Sequence, residues 1–86
     1  MDGHRAEFKT ISKNTASAAH DRLRDANKQH VDRVYVMVRD GVEKANVEAG
    51  RDNFSRNRPN PPLQYWQVID GGAGWSSPFQ SINQPL

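Results

Sequence analysis

Residues 31–49 read Val-Asp-Arg-Val-Tyr-Val-Met-Val-Arg-Asp-Gly-Val-Glu-Lys-Ala-Asn-Val-Glu-Ala, and the fold turns on how this stretch is taken. Val31, Val34, Val38, Val42, Ala45 and Ala49 step by threes and fours, and Leu23 and Ala26 carry the stripe upstream. That spacing puts apolar groups on one face of a helix. Charge supports it: Asp21/Arg24, Asp25/Lys28, Lys28/Asp32, Asp40/Lys44 and Lys44/Glu48 lie three or four apart, and such pairs stabilise an exposed helix by ~0.2–0.5 kcal/mol each. Gly50 follows at once, where a left-handed C-terminal cap is common. The rival is a hairpin over residues 34–47. Val34-Tyr35-Val36-Met37-Val38 is rich in β-formers, and Asp40-Gly41 is a two-residue turn signal. Its second arm, Val42 to Ala49, is much better helix than strand. The pattern therefore predicts a mostly α chain, led by one long amphipathic N-terminal helix with Gly41 as the place for a kink.

The seam of that helix, Leu23, Val31, Val34, Val38, Val42 and Ala45, is narrow and built of small residues. No second helix of similar length is predicted to cover it. It is expected to pack on a copy of itself or on another protein.

Composition shifts sharply downstream. All 12 basic residues and 9 of the 10 acidic ones precede Pro59, while all five prolines lie at or after it. Three segments follow: a charged helical one over 1–50, a Pro/Asn/Arg-rich linker over 51–62, and an extended aromatic arm over 63–86. In the arm, Leu63-Gln-Tyr-Trp-Gln-Val-Ile69 reads as one short strand needing a foreign sheet edge. Asp70-Gly-Gly-Ala-Gly74 breaks it. Ser77-Pro78-Phe79-Gln80 then has the grammar of a helix start, and Trp75, Phe79, Ile82 and Leu86 share one face of the short helical turn it predicts. The arm is expected to be non-globular, with Tyr65, Trp66, Val68, Trp75, Phe79 and Ile82 as its partner-binding residues.

The supply of core is thin. Leu, Ile, Val and Phe together number 16 of 86 residues, a share at which a small chain struggles to bury enough surface alone. Order through assembly is the expectation. Without cysteine there is neither a disulfide framework nor a thiolate metal site. No run of about 18 apolar residues predicts a membrane span, and the opening residues do not read as a signal peptide, so synthesis in a cytosol-like compartment is expected.

Catalytic patterns are weak. His4, His20 and His30 lack the spacing that lets two imidazoles share a metal. Asp21, Asp25 and Asp32 sit among arginines and lysines as an ordinary charged face. Gly71-Gly-Ala-Gly74 lacks the spacing of a phosphate loop and reads as a hinge. Arg51, Arg56 and Arg58 are the candidates for contact with phosphates or an acidic surface, but a net charge of +2 is small for a nucleic-acid binder.

The expectation is a non-enzymatic accessory subunit without cofactor or metal, bridging or clamping subunits of a large assembly that includes copies of itself. Charged helices joined to neutral arms of this composition are common in bacteriophage particles, which makes a capsid, portal or tail protein the specific expectation. The alternative is a small regulatory binder, either DNA-contacting or inhibiting a host enzyme.

Overall fold

A computed structural model describes residues 5–58 and 61–86, so His4, Pro59 and Asn60 lie outside the described residues. The elements run β1 (Ala6–Ile11), α1 (Ala16–Lys28), β2 (Arg33–Arg39), α2 (Lys44–Arg56), β3 (Tyr65–Gly71) and β4 (Ser77–Ser81). They make one four-stranded sheet in the order β1-β2-β3-β4. The first three strands are parallel and β4 returns antiparallel to β3. Two crossovers that move the same way across a sheet put both helices on one face when each is right-handed. The burial pattern agrees: Val34, Val36 and Val38 of β2 are fully buried among Leu23, Val47 and Phe54 of the helices, while Tyr35, Met37 and Arg39 face away.

This corrects the mostly α expectation. A step of four residues is both a helical turn and two strand periods, so Val34, Val38 and Val42 fit either structure. Val36 fits only the strand. Val34 and Val38 belong to β2, Val31 and Val42 to the loops at its two ends, and Ala45 is an exposed residue of α2. Leu23 alone of the seam is buried on a helix, α1. No unpartnered seam exists, because helix and sheet bury these residues within the chain. Asp40-Gly41 does make a turn, with Val42 N–H donating to Arg39 O at 3.1 Å and Gly41 at φ 87°. It leads into α2 and not into a second hairpin arm.

The extended arm is corrected as well. The strand expected at Leu63–Ile69 is β3, but its sheet is its own: Arg33 pairs with Tyr65 and Val36 with Val68. Ser77-Pro78 opens a strand and not a helix. Pro78 has no N–H to give, which an edge strand tolerates, and β4 is an edge. The region expected as linker is helical through Arg56. Gly50 is no cap. It lies inside α2 where that helix crosses α1, and a Cβ there would stand 2.5 Å from Ala16 O and 2.5 Å from Ala19 Cβ.

Local chemistry fixes the helix ends. Thr15 caps α1, its hydroxyl accepting from Ala18 N–H at 3.1 Å. Glu43, the first cap residue of α2, has no side-chain cap bond of its own. Asn14 reaches across from the β1–α1 loop to serve it, its Oδ1 accepting from Glu43 N–H at 2.8 Å and from Asn46 Nδ2 at 2.8 Å. Below the helices every valine of the chain is buried. The valines thus all lie in the core, which explains how a sequence so short of leucine closes one.

Candidate docking surface on the uncovered sheet face

Side chains alternate across a strand, so the residues that do not enter the core line the opposite face. Register assembles them. Phe8 stands beside Tyr35, Arg33 between Ala6 and Tyr65, and Met37 between Thr10 and Ile69. A bulge in the β3–β4 pairing between Trp66 and Val68 gives β4 an extra residue there, and Phe79 turns onto this face. The rings meet in a row: Phe8 and Tyr35 stack at 5.2 Å, Tyr35 and Phe79 lie 6.4 Å apart, and Phe79 and Tyr65 stack at 5.5 Å. The Arg33 guanidinium lies 5.4 Å from the Phe79 ring centroid, and its Nε is 3.6 Å from Asp32 Oδ1. Phe8 is 71% exposed, Phe79 44%, Tyr65 38% and Met37 37%.

No helix covers this face among the described residues. That is unusual for its topology, because parallel strands are normally buried on both sides. The charges are one-sided too. Of the residues that alternation places here, only Arg33 and Arg39 are charged, and none is a carboxylate.

The residues picked out from sequence divide between this face and the interior. Tyr65 and Phe79 are on the face. Trp66, Val68 and Ile82 are in the core at 1% exposure each. Trp75 is partly buried against that core, and its indole N–H donates to Val42 O at 2.8 Å. Arg51 is turned inward: it bonds Glu48 Oε1 at 2.6 Å, the Asp52 carboxylate, and Ile82 O at 3.2 Å. Arg58 folds back on α2, donating to Phe54 O at 3.2 Å with its guanidinium over the Phe54 ring. Arg56 is exposed. Phe8, Tyr35, Met37, Arg33 and Arg39 were not singled out from sequence. Their signal is the alternation of Arg33, Tyr35, Met37 and Arg39 with Val34, Val36 and Val38.

The remaining candidates stay apart from this face. His20 Nδ1 is 3.4 Å from Asp21 Oδ1, and His30 follows the Gln29 cap of α1 at φ 57°. Among the described residues no three His, Asp or Glu side chains gather as a metal site, and no helix is long and apolar enough to cross a membrane. In the glycine turn, Asp70 Oδ1 accepts from Gly74 N–H at 3.0 Å and Gly72 N–H at 2.9 Å. The donors that would face a phosphate are therefore taken by the chain's own carboxylate.

These bonds, that from Gly74 foremost, hold the Asp70 carboxyl below its ordinary value of 3.8. A depressed carboxyl stabilises the fold above its unfolded pKa and loses that contribution as pH falls through the folded value. Thermal melts taken from about pH 5 down to pH 2 should therefore fall less steeply for Asp70→Asn than for wild type. Parallel slopes would show that the charge of Asp70 does not hold the turn.

Comparison with protein-family models, curated proteins and solved structures returns no match for this chain.

Proposed function

We propose that the chain is a non-enzymatic docking module, which joins a larger protein assembly by placing the uncovered face of its sheet against a helical layer of a partner protein. The observation that carries this reading is that face: a largely parallel sheet bears a row of four rings, flanked by Met37 and Ile69, where a second layer normally lies. Large apolar patches on a folded surface mark interaction sites, and clustered tyrosine and arginine often supply the anchors. Arg33 and Arg39 are the charges that alternation places on the face, and although Arg33 Nε lies 3.6 Å from Asp32 Oδ1, the two arginines favour a partner layer that is acidic at its margins. A bacteriophage particle is the setting we attach to this reading on the strength of composition. The helices and β3 find their partners within the chain and do not themselves call for an assembly.

A photo-crosslinking residue placed at Met37 or Tyr65, in cells that make the natural assembly, should capture a protein. The same residue at Lys44 or Asn53, exposed on α2, should capture little. Equal capture from both sides would overturn the proposal. Capture of nucleic acid from the sheet face would replace it with single-strand stacking on the rings.

A further inference from the structure

The face is not the only unpaired surface. β1 is an edge of the sheet, and no strand lies on its outer side among the described residues. Arg5 O accepts from Asp32 N–H and Arg33 N–H, so the backbone of Arg5 is directed toward β2. Strand alternation then directs Glu7, Lys9 and Ile11 the same way, and turns the N–H and C=O of Ala6, Phe8 and Thr10 outward. The opposite edge is guarded, since β4 carries Pro78 and a bulge, both of which discourage strand addition. β1 has neither, and its register with β2 is continuous from Ala6 to Ile11.

Its side chains say which strand it would accept. Glu7 and Lys9 are half-buried beside the helix layer, and neither has an ion-pair partner among the described residues. Charges so placed on an edge repel an ordinary neighbour. They are, however, symmetric about Phe8. Laid antiparallel against its own sequence with Phe8 opposite Phe8, Ala-Glu-Phe-Lys-Thr puts each Glu7 across from a Lys9 and each Ala6 across from a Thr10.

We propose that two copies of this chain pair through β1, antiparallel, about a two-fold axis at Phe8. Backbone and side chains demand the same register. Phe8 with Phe8 and Ala6 with Thr10 fall at hydrogen-bonded positions, so every outward N–H and C=O of the three residues finds a partner. Glu7 with Lys9 falls at the non-hydrogen-bonded positions, where facing side chains come closest. The axis stands perpendicular to the sheet and keeps both helix layers on one side. On the other side Phe8, the most exposed large apolar side chain of the described residues, joins the two rows of rings into one. A closed two-fold pairing uses up the open edge and stops at two copies. This contact lies on the edge and does not rest on the docking proposed for the face.

Sedimentation of the chain over a range of concentrations tests it, with circular dichroism reporting folding of each variant. Wild type should be in monomer–dimer equilibrium. Lys9→Glu and Glu7→Lys each set like charges opposite at both cross-strand positions and should weaken self-association roughly tenfold or more. An equimolar mixture of the two variants should associate again, because one strand is then basic at both positions and the other acidic. The double variant carrying both substitutions in one chain should dimerise like wild type, and it serves if either single variant fails to fold. A folded wild type that stays monomeric up to about 10⁻⁴ M, a dimer indifferent to the reversals, or a mixture that does not recover would each overturn the proposal.

Discussion

Gly50→Ala should lower the unfolding free energy by about 2–3 kcal/mol, although alanine is the better helix former. On an exposed helix the same change would stabilise by about 1 kcal/mol, so the packing cost has to exceed the expected loss by that amount. The geometry supplies it. The new methyl would stand 2.5 Å from Ala16 O, 2.5 Å from Ala19 Cβ and 2.8 Å from His20 N. Two of these atoms are backbone of α1, so no rotamer change relieves them. The helices must move apart, and both are anchored in the core through Leu23, Val47 and Phe54. Ala19→Gly added to the variant removes one clash of three and should return only part of the loss. Urea melts measure all three proteins. A Gly50→Ala protein as stable as wild type would show that α1 and α2 separate at little cost.

Gly50 also shows where the sequence was legible and where it was not. A glycine after a valine-alanine stripe means a helix end when only local signals are read, and its value as a contact point appears only once α1 lies across it. The same holds for Ser77-Pro78. Its capping grammar is genuine, but β3 offers β4 a ladder of backbone bonds, and pairing outweighs a marginal one-turn helix. Of the charge pairs, Asp21/Arg24, Asp25/Lys28 and Lys44/Glu48 fall inside α1 and α2, while Lys28/Asp32 and Asp40/Lys44 run past the helix ends. The strand at Leu63–Ile69 was also legible within two residues at each end. What failed was continuity, because valines four apart serve a strand and a helix equally. Val36 was the discriminating residue. An alternation from Arg33 to Arg39 was present to be read, and with it the aromatic face that now stands as the candidate site.

That face and the β1 edge change the meaning of the poor composition. A composition this short of large aliphatic residues predicts a chain that borrows its core. The chain closes its own, and spends Phe8, Tyr35, Tyr65 and Phe79 outside it. Aromatic residues withheld from the interior of so small a domain leave stability resting on a few large buried groups, and the heaviest of these is Trp66.

Trp66→Ala should therefore be among the most damaging single changes, costing about 3–5 kcal/mol, a large share of the 5–15 kcal/mol typical of a domain. Trp66 is the largest fully buried side chain, 1% exposed, on β3 between Val34 of β2 and Gln80 of β4. Truncation would open a void where strands and helices meet, walled by residues with little freedom to collapse. Trp66→Phe should behave differently. The Trp66 indole N–H is buried with no hydrogen-bond partner, and an unsatisfied buried donor costs about 1–3 kcal/mol. Phenylalanine gives up packing volume but removes that donor, so the two effects oppose, and its stability should lie within about 1 kcal/mol of wild type. Trp75 is then the sole tryptophan, and its fluorescence, with its N–H held by Val42 O, reports unfolding of both variants. A Trp66→Phe protein as damaged as Trp66→Ala would mean that the indole N–H is satisfied in solution and that its bond, as much as its bulk, holds β3 to the core.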